Sequence, residues 1–379
     1  MSRILFDNND IGYLGLKKWL ALRAAAELYK ERVAEHRLVE LFWECTLRCN
    51  LNCRHCGSDC VSQARVPDMP AADFFNVLDN SISKKVDPRS LLIIISGGEA
   101  LVRDDLTDIG HGLKKRGYPW GMVTNGMLLT ADKLAELREA GLCSIALSLD
   151  GPEPIHNDIR QNPKSYERAV RALNAIVRCP GLTYDVITCA TPALLPHLPE
   201  FRDFLIEHGC KAWRLGTISP MGRAKNMPDI LLDGAQERQV LDFIVQTREQ
   251  GKIDTSFTCD GFLGRYEGVV RDHFYQCDAG ITTGGILIDG SISACTSIRG
   301  NHIQGNIYKD DFMDVWENRF QKYRDRSWTK KGICADCEMY AYCRGNGMHL
   351  YDDDDQLLHC DYQEMKNAHA SIAKSGIEG

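Results

Sequence analysis

Three cysteines lie close together near the start of the chain, just beyond Glu44. Cys49, Cys53 and Cys56 have the spacing C-x3-C-x2-C and follow an apolar run typical of a β-strand. A structural zinc site normally has four ligands, such as four thiolates or three with a histidine. Four thiolates are also the usual ligands of a cubane iron–sulfur cluster. Three thiolates on one loop would leave one iron of such a cluster open, and the amine and carboxylate of an amino acid could bind there.

The spacing C-x3-C-x-aromatic-C, with His55 in the aromatic position, resembles the radical SAM superfamily. In that family three cysteines hold a [4Fe–4S] cluster whose open iron binds S-adenosylmethionine. An electron from a donor such as flavodoxin or ferredoxin breaks the S–C5′ bond, and the 5′-deoxyadenosyl radical then abstracts a hydrogen atom from the substrate. The resemblance implies that the three cysteines are cluster ligands and that His55 contacts the cofactor. Cys45 and Cys60 stay open as alternative ligands, although their spacing does not match the family.

Other residues at the ends of predicted strands resemble cofactor-binding positions of the same family. Gly97 and Gly98 let backbone approach a ligand closely, and the carboxylate of Glu99 can accept hydrogen bonds from an ammonium group. The resemblance implies that these three residues meet the methionine end of the cofactor. It also implies that Ser148 binds the ribose and that Arg160 pairs with the cofactor carboxylate, to which a guanidinium is well suited.

Strand-like and helix-like segments alternate six times between residues 38 and 250. This alternation predicts a parallel sheet covered by helices, and six units are two fewer than in a closed eight-fold barrel. The fold class predicted is α/β, a partial (β/α)6 TIM-like barrel followed by a Cys-rich auxiliary-cluster domain, with a doubly wound sheet as the alternative for the first part. The predicted strands are 38–44, 91–95, 120–124, 144–149, 183–189 and 212–217. The predicted helices are 71–83, 105–116, 131–140, 166–178, 198–208 and 235–250.

The loops after these strands should share one rim with the cysteine triad, because sites of parallel α/β folds lie at the carboxyl ends of strands. Asn125 and Asp150 sit at strand ends and are weaker candidates for the substrate side. The turn at 220–223 resembles the family pattern without an assigned role.

Three regions follow from these patterns. Residues 1–37 contain a helical pattern over 14–33, predicted to be an amphipathic helix that packs on the main domain. The resemblance implies that residues 38–250 form the radical SAM core. Residues 251–379 lose the alternation, are rich in Cys, Gly and Asp, and contain a hairpin-like piece at 285–292.

A second group of cysteines lies in this last region. Cys334, Cys337 and Cys343 are spaced C-x2-C-x5-C, and Cys360 follows. Four thiolates suit zinc as well as iron, so a zinc ribbon is an alternative. The group resembles the SPASM extension of radical SAM enzymes, which holds two further four-iron clusters. The resemblance implies that these four cysteines hold one auxiliary [4Fe–4S] cluster.

The other auxiliary cluster departs from the family pattern. Cys277 and Cys295 match two of its ligands, and Cys259 is the natural third, although it lies farther upstream than usual. The family has a further cysteine four residues after Cys343, where this sequence has Gly347. This cluster is therefore predicted to have an open iron or a non-cysteine ligand, or to be absent. One or two auxiliary clusters are expected in total.

The cysteine content, the net charge and the apolar runs indicate where the protein is located and which partners it does not bind. The 16 cysteines are not expected to form disulfides, because no apolar export signal precedes them in residues 1–9 and a reducing cytosol disfavours disulfides. A cytoplasmic location is therefore predicted. The net charge of −7 argues against binding nucleic acid, and no apolar run is long enough to span a membrane. Four cysteines beside apolar runs are interpreted as ordinary core residues: Cys143, Cys179, Cys189 and Cys210.

The resemblance implies an enzyme that oxidises its substrate. SPASM-bearing enzymes mostly modify ribosomally made peptides or proteins, and some act on porphyrins. The sequence therefore predicts oxidative modification of a peptide or protein side chain. A small molecule such as a haem precursor is the alternative substrate, and a non-catalytic iron–sulfur electron carrier or partner protein is the alternative of another class.

Overall fold

The computed structural model describes residues 11–259 and 261–375, with side chains described up to residue 368. The prediction for residues 1–9 therefore lies outside the described residues. So do the first residues of the predicted region 1–37 and the last residues of the predicted region 251–379.

The strands of the described chain form one sheet in the order β10-β9-β8-β1-β2-β3-β4-β5-β6-β7. Neighbours from β8 through β1 to β7 are parallel, whereas β9 and β10 continue antiparallel beyond β8. Because β7 and β10 form the two edges, the sheet is an open, partial barrel. The strands are β1 Glu40–Thr46, β2 Leu92–Gly97, β3 Trp120–Thr124, β4 Leu142–Ser148, β5 Thr183–Cys189, β6 Ala212–Gly216, β7 Asp254–Phe257, β8 Thr283–Ile286, β9 Ser291–Ser293 and β10 Gly305–Asn306.

Helices connect the parallel strands and cover them. They are α1 Leu16–Glu35, α2 Ala71–Asn80, α3 Leu106–Arg116, α4 Ala131–Glu139, α5 Glu153–Arg160, α6 Ser165–Ile176, α7 Leu198–Glu207, α8 Gly234–Gln250, α9 Phe312–Asn318, α10 Gln321–Arg324, α11 Tyr340–Cys343 and α12 Asp361–Ser375. No helix in the described ranges has both the length and the apolar character that crossing a membrane requires.

The predicted six-fold alternation is confirmed, and the α/β partial-barrel prediction with it. The hairpin-like piece predicted at 285–292 is formed by β8 and β9, which pair antiparallel. The strand β7 was not predicted, because it has only four residues. Helix α5 was also not predicted. It has eight residues and begins beside Pro152, in a segment that the sequence pattern assigns to a loop.

The core of the barrel is anchored where β1 meets α2. Trp43 is fully buried, and its ring stacks on Phe74 with the centroids 4.2 Å apart. Parallel strands are covered on both faces, so β1 can carry consecutive buried residues, and its last four positions are all buried. This packing sets the direction in which β1 leads into the cysteine loop.

The C-terminal region is continuous with the barrel, because β8 pairs with β1 in the same sheet. The predicted boundary near residue 250 stays a prediction. Helix α1, which was predicted to pack on the main domain, contacts the C-terminal region. Arg32 pairs with Asp278 at 2.6 Å, and the guanidinium of Arg344 lies 4.4 Å from the Tyr29 ring centroid.

We expect Phe74→Ala to lower the free energy of unfolding by about 3–5 kcal/mol, because truncating a buried aromatic leaves a cavity against Trp43. The matched control is Phe75→Ala on the same helix, where the ring is only half-buried and the loss should be smaller. Urea unfolding of the reduced protein, followed by tryptophan fluorescence, measures both. Equal midpoints for the two variants would contradict this account of the core.

Candidate active site

One cavity of about 960 Å³ opens at the carboxyl ends of the parallel strands. The residues predicted to hold the first cluster and its cofactor line this cavity together: Cys49, Cys53, His55, Cys56, Gly97, Gly98, Glu99, Ser148 and Arg160. Two cysteines of the C-terminal region, Cys259 and Cys295, line the same cavity. The structure therefore brings the residues of both regions to one place.

The cysteine triad lies on the loop after β1. Cys49 and Cys53 are buried and share an apolar cluster with Leu51, while Cys56 packs against that cluster. The side-chain amide of Asn125 lies 3.8 Å from the sulfur of Cys49. Burial raises the pKa of Cys49 to about 11, so binding a metal there must displace protons.

Two glycines allow the ends of β1 and β2 to approach each other. Gly97 has a φ of 141°, and a β-carbon on it would overlap the carbonyl oxygen of Thr46. A β-carbon on Gly98 would overlap the carbonyl of Arg48 and lie 3.1 Å from the Cβ of Cys49. Any side chain at these two positions would push the cysteine loop away from β2.

Glu99 connects β2 to β3. Its buried carboxylate accepts hydrogen bonds from the backbone N–H of Asn125 at 2.7 Å, from Thr124 Oγ1 at 2.9 Å and from the backbone N–H of Leu101 at 3.1 Å. Burial raises the pKa of Glu99, and these hydrogen bonds oppose the increase. Contact between Glu99 and a cofactor ammonium stays a prediction.

Arg160 is held between a carboxylate and a thiol. Its Nε donates to Asp150 at 2.6 Å, and its Nη1 lies 3.8 Å from the sulfur of Cys53. Burial opposes ionisation of Asp150, but Arg160 outweighs it and lowers the pKa of Asp150 to about 2. Asp150 is 1 % exposed and lies behind Arg160, so it positions the guanidinium and does not line the cavity.

His55 lies at the wall of the cavity beside this pair. Burial, aided by Arg160, lowers the pKa of His55 to about 4, so the imidazole is neutral at pH 7. Its Nδ1 is buried and has no hydrogen-bond partner among the described residues.

Sequence reasoning missed the role of Arg223 in the turn at 220–223. Its Nε donates to the carbonyl of Cys53 at 2.8 Å, its backbone N–H to that of Cys56 at 3.1 Å, and its Nη1 to that of Cys60 at 3.0 Å. Arg223 therefore fixes the backbone of the cysteine loop from the far side of the barrel. The resemblance of this turn to the family pattern was the available signal.

Three further cysteines occupy positions that the sequence did not resolve. Cys45 is fully buried in the core and does not line the cavity. Cys60 lines it, and a hydrogen bond from its thiol lowers the pKa of Cys56. Cys189, interpreted above as a core cysteine, is half-buried at the end of β5 and also lines the cavity.

The cysteines predicted to hold a complete auxiliary cluster lie around a second, small cavity: Cys334, Cys337, Cys343 and Cys360. The backbone N–H of Asn346 donates to the sulfur of Cys343 at 3.1 Å, and Gln363 Nε2 lies 3.8 Å from that of Cys337. Four converging thiols with nearby N–H donors could hold a metal cluster.

Of the remaining auxiliary cysteines, Cys259 and Cys295 line the large cavity. Cys277 lines a separate small cavity together with Tyr275 and Arg326. The loop after Cys295 reaches the barrel through Arg299, which pairs with the buried carboxylate of Glu44 and donates to Ser58 Oγ at 3.0 Å. The ion pair joins the C-terminal region to the end of β1.

Comparison with known proteins agrees with this arrangement. Residues 43–205 match the radical SAM superfamily, and residues 277–338 match SPASM, an iron–sulfur cluster-binding domain. The chain is 27 % identical to AdoMet-dependent heme synthase of Methanosarcina barkeri, covering 80 % of this chain and 89 % of that protein. It is 28 % identical to mycofactocin maturase MftC of Mycolicibacterium smegmatis, covering 81 % and 77 %.

The fold is also found among solved structures. Streptococcus suis SuiB bound to S-adenosylmethionine superposes with a TM-score of 0.65 at 18 % identity, over 88 % of this chain and 79 % of that one. Homologues in the radical SAM superfamily are enzymes that catalyse radical reactions, and the chain is accordingly an enzyme.

A radical SAM domain binds S-adenosylmethionine and a [4Fe–4S] cluster, and a SPASM domain binds auxiliary iron–sulfur clusters. The residues that could hold the first cluster here are Cys49, Cys53 and Cys56, because all three line one cavity and thiolates are the usual ligands of iron–sulfur clusters. The chain carries a radical SAM domain at residues 43–205 and, behind it, a SPASM domain at residues 277–338.

Proposed function

We propose that this enzyme oxidatively modifies a side chain of a peptide or protein. The cavity that contains both the cysteine triad and Cys295 is the observation that carries this proposal. At about 960 Å³ it lies near the upper end of the roughly 300–1,000 Å³ usual for small-molecule sites. Such a volume accommodates the cofactor and one substrate side chain together.

Cys49, Cys53 and Cys56 would hold the cluster at which S-adenosylmethionine binds. That cofactor supplies methionine and a 5′-deoxyadenosyl radical when one electron, from a donor such as flavodoxin or ferredoxin, breaks its S–C5′ bond. Arg160 would orient the cofactor carboxylate, because Asp150 holds its guanidinium at the cavity wall. Ser148, at the end of β4 on the same wall, would contact the ribose.

The auxiliary cysteines would serve the second half of the reaction. Once the radical takes a hydrogen atom from the substrate, an oxidation must remove one further electron and a proton. An auxiliary cluster beside Cys295 would accept that electron, because Cys295 lines the cavity in which the substrate radical forms.

The charges of the cavity favour a peptide over a haem precursor with several propionates. The arginines that line it in the described chain already pair with carboxylates, in the pairs Arg160–Asp150, Arg223–Asp59 and Arg299–Glu44. Lys225 also lines the cavity and has no carboxylate partner among the described residues, but one such cation is too little positive charge to neutralise several propionates.

A haem precursor is the second candidate substrate. It is favoured by the similarity to AdoMet-dependent heme synthase, which is as close as the similarity to mycofactocin maturase. The two candidates share the radical-generating step and differ in the substrate that occupies the cavity.

We expect Cys53→Ala to abolish formation of 5′-deoxyadenosine from S-adenosylmethionine and dithionite, because the cluster loses one of three ligands. Cys60→Ser is the matched control, since Cys60 lines the same cavity but lies outside the triad; this variant should retain most of the activity. Anaerobic reconstitution with iron and sulfide followed by chromatography measures the product. Equal loss in both variants would indicate a closed four-thiolate site and overturn the proposal.

The substrate class is tested with two probes. We expect a short peptide encoded beside this gene, co-expressed with the enzyme, to lose two hydrogen atoms by mass spectrometry, and the loss to disappear with Cys53→Ala. A propionate-bearing iron porphyrin, incubated with the enzyme, S-adenosylmethionine and dithionite, should remain unchanged. Conversion of the porphyrin with an unmodified peptide would favour the haem-precursor alternative.

A further inference from the structure

The place of the missing auxiliary cysteine is filled by a histidine two residues later. Gly347 is buried and stands where the family pattern has a cysteine. A β-carbon built on Gly347 would lie 2.7 Å from Cε1 and 2.9 Å from Nδ1 of His349. The imidazole therefore occupies the space into which a side chain at position 347 would project.

The surroundings of this point contain the other auxiliary cysteines. The hydroxyl of Tyr275 lies 3.4 Å from the same β-carbon position, and Tyr275 is within electrostatic range of Cys277 and Cys259. His349 itself lines the large cavity together with Cys259 and Cys295. The ring thus shares a cavity with Cys259 and Cys295, whereas Cys277 lines a separate small cavity that Tyr275 also lines.

Imidazole nitrogen is a suitable replacement for a thiolate. It is the commonest side-chain metal ligand, and iron–sulfur centres with histidine in place of cysteine are stable. We propose that His349 is the fourth protein ligand of the first auxiliary cluster, beside Cys259, Cys277 and Cys295. The inference rests on the auxiliary cluster assigned under the proposed function.

This ligand would alter the chemistry of the cluster. A neutral imidazole in place of a thiolate lowers the negative charge of the cluster and raises its reduction potential. The cluster would then accept an electron from a substrate radical more readily than one with four thiolates. It would also leave no open iron for direct substrate binding.

The experiment uses the full chain, reconstituted anaerobically, reduced with dithionite and kept free of S-adenosylmethionine, whose amine nitrogen would interfere. We expect pulsed EPR to show a nitrogen coupling that changes when histidine alone is labelled with ¹⁵N. His349→Cys should retain the iron content, lose this coupling and shift one midpoint potential to a more negative value. Tyr275→Phe, which removes the neighbouring hydroxyl, should retain the coupling.

His349→Ala should contain about four fewer iron atoms per chain than the unmodified protein, or an altered auxiliary signal; His349→Cys decides the question where the alanine variant does not fold. A missing histidine coupling in the unmodified protein, or one that persists in His349→Cys, would overturn the assignment. Formation of 5′-deoxyadenosine is measured on the same preparations. Because that reaction depends on the cysteine triad, its presence with no histidine coupling would refute the His349 ligand and leave the proposed function standing.

Discussion

The whole site depends on holding an irregular loop still while it presents three thiols to one cavity. Backbone polar groups of such a loop need partners once they are buried. Arg223 supplies several of them from the opposite side of the barrel, through the carbonyls of Cys53, Cys56 and Cys60. On the near side, the N–H of Glu99 donates to the carbonyl of Arg48 at 3.0 Å. The loop is therefore pinned between the first strands of the barrel and the turn after the sixth.

The second requirement is that the C-terminal region be fixed to the barrel, because electron transfer between clusters needs a defined separation. The sheet provides this directly, since β8 extends the barrel beside β1. The ion pair between Arg299 and Glu44 adds a polar connection, and the fully buried Glu44 carboxylate also accepts from the backbone N–H of Ile288 at 3.1 Å. A buried carboxylate is stable only with such partners, so the two regions complete each other.

The region around Gly347 shows how a change in ligand pattern can be accommodated locally. Losing a cysteine there would leave a gap beside buried thiols, and close-packed interiors do not tolerate gaps. The neighbouring His349 ring and the Tyr275 hydroxyl occupy that volume. The His349 ring and the Tyr275 hydroxyl therefore fill the space that a cysteine side chain would take in the family pattern.

Much of the architecture could be predicted from the sequence because it is encoded locally. The alternation of strands and helices follows from hydrophobic periodicity within short windows, and the cysteine spacing of both regions is visible along the chain. The strand β7 could not be predicted in this way, and neither could the pairing of β8 with β1. The strand β7 has four residues, and only its position beside β6 makes it a strand.

The sequence by itself determined which residue types are available: a thiol triad, a glycine-rich turn after the next strand and a second cysteine group. Only the tertiary structure decided how they are used. Asp150 lies behind Arg160 instead of lining the cavity, Cys60 lines the cavity beside the triad, and Arg223 reaches the cysteine loop from about 170 residues away in the chain. The sequence pattern does not show these arrangements, because they arise only when the strand ends converge on one rim.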